Sequence, residues 1–125
     1  MKWIRNLFFG TAIAVVLTAA AYAAPPSGAY SINQNGTTGT LIIQVSGGSV
    51  SGSLINDPIR GFWDETSQKL VFYRVVGGGN TGAPPTNLQV FTGYQFLGKL
   101  AGSFEAFATS GGLPTKNVFG WYAIH

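Results

Sequence analysis

Short runs of β-branched and aromatic residues recur along the chain after residue 25, with turn residues between them at intervals of about 8 to 14 residues. The runs lack the 3.6-residue spacing of apolar positions that is typical of an amphipathic helix. Strands are predicted at residues 28–33, 40–46, 49–55, 59–64, 69–76, 88–97, 99–108 and 117–124. Tight connections are predicted at Asn35-Gly36, Gly47-Gly48, Asp57-Pro58, residues 65–68 and Gly98.

Eight short strands joined in sequence predict an all-β fold, an eight-stranded antiparallel up-and-down β-barrel. The alternative is a β-sandwich. Closure is favoured because a barrel leaves no unpaired strand edge. Two longer connections, "GGGNTGAPPTN" and "TSGGLPTKN", are rich in Gly, Pro and Thr and are expected at the rim of the barrel or over a pocket.

Glycine interrupts the interior of five predicted strands, at Gly52, Gly61, Gly93, Gly102 and Gly120. A glycine inside a strand usually weakens it, but a small barrel needs relief where its strands bend. The glycines share a face with flanking apolar residues, as in Leu100/Gly102/Phe104 and Val118/Gly120/Tyr122. The opposite face is also apolar, so either face could be the inner one.

Whichever face lies outside exposes aromatic surface, which predicts a subunit interface or a lipid contact. An outer-membrane barrel would need strands of about 9–11 residues, and several of the predicted strands are shorter. We therefore expect a homo-oligomer and do not expect membrane contact.

The N-terminal segment has the features of a secretory signal peptide. Lys2 and Arg5 precede the apolar run "LFFGTAIAVVLTAAAYAA", which ends in the small-residue pattern Ala21-Tyr22-Ala23. The alternative is a membrane anchor. Cleavage would leave residues 24–125 as a single barrel domain in a secreted or periplasmic protein. With no cysteine, this domain depends on packing and strand pairing alone.

The charge pattern excludes one class of partner. Removal of Lys2 and Arg5 leaves five scattered basic residues against four acidic ones. No basic cluster remains that could bind the phosphate groups of a nucleic acid. We therefore do not expect a nucleic acid as a partner.

Catalytic and metal-binding constellations are nearly absent from the sequence. The chain has no cysteine, and its one histidine, His125, is the final residue. Glu105 is expected to pair across strands with Arg74 or Lys99 rather than to act as an acid or base. We therefore expect no catalytic residue, no metal site and no cofactor. We do not expect the protein to be an enzyme. Several strand aromatics together could line a pocket for a small ligand.

Three stretches of the chain resemble the avidin/streptavidin family of biotin-binding barrels. "GAYSINQNGTTGTLII" is similar to the opening hairpin of that family, with one extra residue before Asn33. "SVSGSL" and "VFTGYQF" are similar to two of its later strands. The resemblance implies an eight-stranded barrel that binds a small molecule, biotin being one possibility.

The resemblance also implies a set of ligand-binding residues. Asn33 and Thr37 match the residues that hydrogen-bond the carbonyl oxygen of biotin. Phe91 and Phe104 fall near two aromatic walls of the pocket and Tyr73 near a third. The match is incomplete, since Leu54 stands where the family has a tyrosine. Tyr122 falls at the position of the aspartate that accepts from a ureido N–H.

These observations predict an exported small-ligand-binding barrel with an avidin-like scaffold, whose ligand is biotin or another small, partly apolar molecule. The alternative is a structural or protein-interaction barrel of the cell envelope with a filled core, including a small outer-membrane barrel or an inhibitor. A pocket lined by Asn33, Thr37, Phe91 and Phe104 would favour ligand binding, whereas solid packing of these side chains would favour the alternative.

Overall fold

The computed structural model describes residues 24–76, 86–110 and 113–125. The predicted signal peptide lies outside the described residues, as do parts of both long connections. The strands are β1 Gly28–Gln34, β2 Thr37–Ser46, β3 Ser49–Leu54, β4 Asp57–Asp64, β5 Lys69–Val76, β6 Asn87–Phe96, β7 Lys99–Ser110 and β8 Leu113–Ile124. No helix in these described ranges is long and apolar enough to cross a membrane.

Each strand pairs antiparallel with the next along the chain, and β8 pairs with β1 to close one sheet. The closing register runs from Ser31 opposite Ile124 to Gln34 opposite Trp121. The prediction of a closed eight-stranded antiparallel barrel is therefore confirmed, and the alternative of a β-sandwich is not. Closure leaves none of the eight strands with an open edge.

One predicted turn is wrong. The chain reverses at Ile55-Asn56, where both residues have positive φ (47° and 70°), and not at Asp57-Pro58. Pro58 lies in β4 opposite Ser53, one residue after the start of the strand. Proline is tolerated there because the start of a strand does not require every backbone donor. Asparagine readily adopts the left-handed conformation, which allows a two-residue turn at this point.

The antiparallel order divides the connections between the two ends of the barrel. The loop end carries the turns 35–36 and 55–56 and the strand ends Val76, Asn87, Ser110 and Leu113. The turn end carries the turns 47–48, 65–68 and 97–98, together with residues 24–27. Residues 24–27 fold over the turn end, where the Tyr30 hydroxyl donates to the Pro26 carbonyl at 3.0 Å. Burial of this hydroxyl raises the pKa of Tyr30.

Aromatic side chains fill the interior between the two ends. The rings of Phe72 and Phe91 stack with their centroids 4.7 Å apart, and Phe91 stacks on Phe104 at the same distance. Trp121 meets the edges of this stack at 5.9 Å. Phe72 and Phe91 are fully buried. The barrel therefore has a packed core in its middle.

Gly93 makes room for the Trp121 side chain, and Gly102 makes room for the backbone of β6. Gly93 and Gly102 lie opposite each other on β6 and β7. A Cβ at Gly93 would lie 2.5 Å from Cζ2 of Trp121. The indole Nε1 donates to the carbonyl oxygens of Thr92 and Ser103, at 3.3 and 3.1 Å. The mid-strand glycines thus permit close approach inside the closed sheet.

The structure also decides which face of the sheet is inside. Leu100 and Phe104 are buried and face inward. Gly102 shares their face, because it lies opposite the buried Trp121 on β8. On β8 the opposite set faces inward, because Trp121 is buried whereas Val118 and Tyr122 are more than half exposed. The unit Val118/Gly120/Tyr122 therefore lies on the outer surface.

Candidate functional site

A polar layer interrupts the apolar interior near the loop end. Gln34, Arg74 and Gln89 are buried, with 6%, 6% and 9% of their surfaces exposed. Each lies two positions along its strand from a buried core residue, on the side toward the loop end. Strand alternation turns all three side chains into the barrel. The loop end is therefore the part of the interior with polar chemistry.

Arg74 is the centre of this layer. Its Nε donates to Oε1 of Gln89 at 2.7 Å, and its Nη1 donates to the carbonyl of Leu54 at 3.0 Å. Nη1 also forms an ion pair with Asp57 at 3.2 Å. Burial lowers the pKa of Arg74, and the charge of Asp57 opposes this effect. The guanidinium remains protonated at neutral pH because its ordinary pKa is so high.

These contacts give Arg74 a structural role. Leu54 and Asp57 flank the turn at Ile55-Asn56, where positive φ values are unfavourable for a β-branched residue. The guanidinium links both sides of this turn to β5 and β6 across the loop end. Its charge is thus fixed at the mouth of the barrel.

Two buried amide oxygens at this end have no hydrogen-bond partner among the described residues. They are Oε1 of Gln34 and Oδ1 of Asn87. An unpaired buried polar atom typically costs about 1–3 kcal/mol, so native proteins rarely leave one without a reason. Each oxygen can accept a hydrogen bond from an N–H group.

A groove of about 360 Å³ lies on the outer side of β5 to β8 near the loop end. Val75, Leu88 and Phe107 of its lining form one cross-strand row on the face opposite to Arg74 and Gln89.

The surface of this groove is mostly apolar, and Thr86, Asn87 and Thr115 contribute its polar groups. Asn87, at the start of β6, lines this groove and also has its amide oxygen buried at the loop end. A small molecule with N–H donors and an apolar part could therefore pass over the strand ends from the loop end to the groove.

The six residues implied by the family resemblance do not lie around one pocket. Phe91 and Phe104 are in the core stack, whereas Asn33, Thr37, Tyr73 and Tyr122 lie on the outer face or at a turn. Oδ1 of Asn33 accepts a bond from the Gly36 N–H at 2.8 Å. Asn33 and Tyr122 are brought together outside the barrel, as neighbours across the β1–β8 pairing.

Strand alternation accounts for the position of Asn33, because its neighbours Ile32 and Gln34 are both buried. A shift of one residue in a strand moves a side chain to the other face of the sheet. Gln34 therefore takes the interior position on β1 and Asn33 the outer one. Sequence reasoning missed Gln34, Arg74 and Gln89. One signal in the sequence could have found them. Each is a polar residue two positions from an apolar core residue of the same strand, and residues two positions apart share a face of the sheet.

The expected partners of Glu105 were also wrong. Glu105 pairs with Lys116, at 3.5 Å, on the outer surface. Arg74 cannot reach Glu105, because Arg74 faces the interior and pairs with Asp57 instead. Exposed pairs such as Glu105–Lys116 contribute little to stability.

Comparison with known protein families, with curated proteins and with solved structures finds no match to this chain. The avidin-like family assignment therefore stays a prediction. Within residues 24–76, 86–110 and 113–125, no group of three or more His, Cys, Asp or Glu side chains could hold a metal ion.

Proposed function

We propose that this protein is an exported binding barrel that takes a small, partly apolar ligand at its loop end. The observation that carries the proposal is the pair of buried, unpaired amide oxygens of Gln34 and Asn87 at the end that also holds Arg74. Export rests on the signal-peptide pattern of residues 1–23.

The chemistry of the loop end defines the ligand class. The unpaired oxygens accept N–H bonds, which favours an amide, a urea or a related group. The apolar groove on the outer side of Asn87 suits a hydrocarbon part that passes over the strand ends. Because Phe72 and Phe91 fill the middle of the barrel, the ligand would lie above the core and not within it.

Biotin belongs to this class, since it joins a cyclic urea to an apolar ring and chain. The positions of Asn33, Thr37 and Tyr122 outside the barrel argue against the contacts that the avidin family uses. We therefore place the ureido group, in this proposal, against Gln34 and Asn87.

Thermal melting of the purified protein with biotin, and separately with 2-imidazolidinone, tests the proposal. A ligand at about 100 times its Kd stabilises the native state by about 2.7 kcal/mol and raises the Tm by several degrees. Gln34→Leu should abolish this increase. It should also stabilise the free protein by about 1 kcal/mol, because it removes an unpaired buried oxygen.

Asn33→Ala is the matched control, since it changes the neighbouring residue on the opposite face. It should weaken the turn slightly and leave the increase in Tm intact. If neither compound raises the Tm of the wild type, ligands with urea N–H donors are excluded. An increase that persists in Gln34→Leu would show that Gln34 does not hold the ligand and would contradict the proposed site.

The outer surface supports a second candidate, an interaction barrel that self-associates. Large apolar side chains cover the outer face of β4 to β6, where Phe62 is 73% exposed and Tyr73 46%. The outer positions of β3 are serines instead, namely Ser49, Ser51 and Ser53. Since both regions have the same pleated backbone, the contrast reflects what each surface meets.

The charges at the edges of this apolar face are opposite in sign. Arg60 on β4 and Glu105 on β7 lie in one cross-strand row, with Tyr73 and Val90 between them. A two-fold axis between β5 and β6 would place each Arg60 opposite the partner's Glu105. This arrangement favours a second copy of the chain as the occupant.

A further inference from the structure

A shallow groove of about 420 Å³ lies on the outer surface where β8, β1 and β2 meet. Two cross-strand rows form it, Tyr122–Asn33–Thr38 and Ile124–Ser31–Thr40. Each row begins with an exposed apolar or aromatic side chain on β8 and continues with polar side chains on β1 and β2. The groove therefore has an apolar wall and a polar floor.

The polar floor offers hydrogen-bonding groups in a fixed arrangement. The hydroxyls of Ser31, Thr38 and Thr40 can each donate and accept. Oδ1 of Asn33 is held by the Gly36 N–H, which fixes the amide and leaves Nδ2 to donate. Strands position such groups more firmly than loops do.

The apolar wall consists of two exposed side chains. Tyr122 is 51% exposed and Ile124 42% exposed. A tyrosine ring presents a large apolar face and a polar tip, which suits a ligand with both kinds of surface.

The absence of charge narrows the choice of ligand. None of the described residues that line the groove is charged. A phosphate, a nucleotide or an acidic peptide would find no counter-ion here, whereas an uncharged ligand with many hydroxyls would need none. A sugar ring has such hydroxyls along its edge and C–H groups on its face.

We infer that this outer groove binds a neutral sugar, either free or within a polysaccharide. The C–H face of the ring packs on Tyr122 and Ile124, and its hydroxyls bond Asn33 and the Ser/Thr hydroxyls. The site lies on the opposite side of β1 from the loop-end layer, so it does not depend on the proposed function. A shallow site leaves one side of the ligand in water, and we expect a Kd on the order of 1 mM.

Titration of the ¹⁵N-labelled protein with maltotriose, cellotriose and tri-N-acetylchitotriose, followed by NMR, tests this inference. At least one of the three should shift the Asn33 side-chain amide and backbone amides of β1, β2 and β8. Tyr122→Ala should raise the Kd by about tenfold or more, because it removes the contact between the sugar and the tyrosine ring. Tyr122→Phe keeps the ring and should retain most of the affinity.

Asn33→Asp separates ligand binding from folding. The aspartate keeps an oxygen that can accept the Gly36 N–H, but it removes both Nδ2 donors and should weaken sugar binding about tenfold. Tyr73→Ala, an exposed tyrosine on another part of the outer surface, should leave the Kd unchanged. The inference is overturned if none of the sugars shifts these amides at about 20 mM, or if Tyr122→Ala binds as well as the wild type.

Discussion

Gly102 shows what a single residue contributes to closure. A Cβ at this position would overlap the carbonyl oxygen of Thr92 on β6, and Gly93 lies directly opposite. The neighbouring strand leaves no space for a side chain, and a backbone carbonyl cannot turn aside as a flexible side chain can. The glycine is therefore required by the approach of two strands beneath Trp121.

We expect Gly102→Val to destabilise the protein by at least about 3 kcal/mol, because β6 and β7 would have to separate. Urea denaturation of the wild type and the variant measures this difference. Gly120→Ala is the matched control on the adjacent strand. A Cβ at Gly120 meets nothing closer than the Gly102 carbonyl oxygen at 3.9 Å, so the change should stay within about 0.5 kcal/mol. A Gly102→Val variant as stable as the control would contradict this account of closure.

At the scale of elements, two tight turns have the same left-handed backbone conformation but different residues at their first position. Asn35-Gly36 joins β1 to β2 with φ values of 49° and 90°, and Leu97-Gly98 joins β6 to β7 with 51° and 73°. Asparagine tolerates this left-handed conformation far better than leucine does. Leu97 is also 83% exposed, so it gains little by packing.

We expect Leu97→Asn to stabilise the protein by about 0.5–1 kcal/mol, since it relieves backbone strain and removes an exposed apolar side chain. The reverse change, Asn35→Leu, should destabilise by about 1 kcal/mol. Chemical denaturation of both variants gives the two values. Loss of stability in Leu97→Asn would mean that Leu97 makes a contact that offsets its strain.

At the scale of the whole molecule, the outer surface divides into a serine- and threonine-rich part and an aromatic part. The aromatic part lies on the strands that follow the turn at Ile55-Asn56. Strands β4 and β7 curve away on either side of β5 and β6, so only long side chains on these flanks could reach a second barrel. Arg60 and Glu105 have the necessary length and opposite charge.

We expect sedimentation velocity to show a dimer that Arg60→Glu disrupts, with the dimer Kd raised by about tenfold or more. The double variant Arg60→Glu/Glu105→Arg should restore the dimer, because each new pair again has opposite charges. Gln44→Glu, on the outer face of β2, serves as the control and should not change the mass. A wild type that stays monomeric, or a double variant that does not recover, would reject this interface.

The chain's alternation and turn chemistry determined the number of strands and their order. Asn35-Gly36 and Gly98 mark tight reversals whose physical cause is local, because only certain residues adopt positive φ cheaply. The alternation of apolar residues at positions such as Leu100 and Phe104 defined the strands themselves. Both signals act within a few residues, which is why the closed antiparallel barrel could be predicted.

The tertiary structure alone decided which face of each strand lies inside, and with it the candidate site. Both faces of β8 are apolar, so only closure against β1 and β7 showed that Trp121 is interior and Tyr122 exterior. The same closure turned Gln34 inward and Asn33 outward, since a single residue of register exchanges the two faces. The polar layer around Arg74 depends on contacts between strands distant in sequence, and no local pattern contains that information.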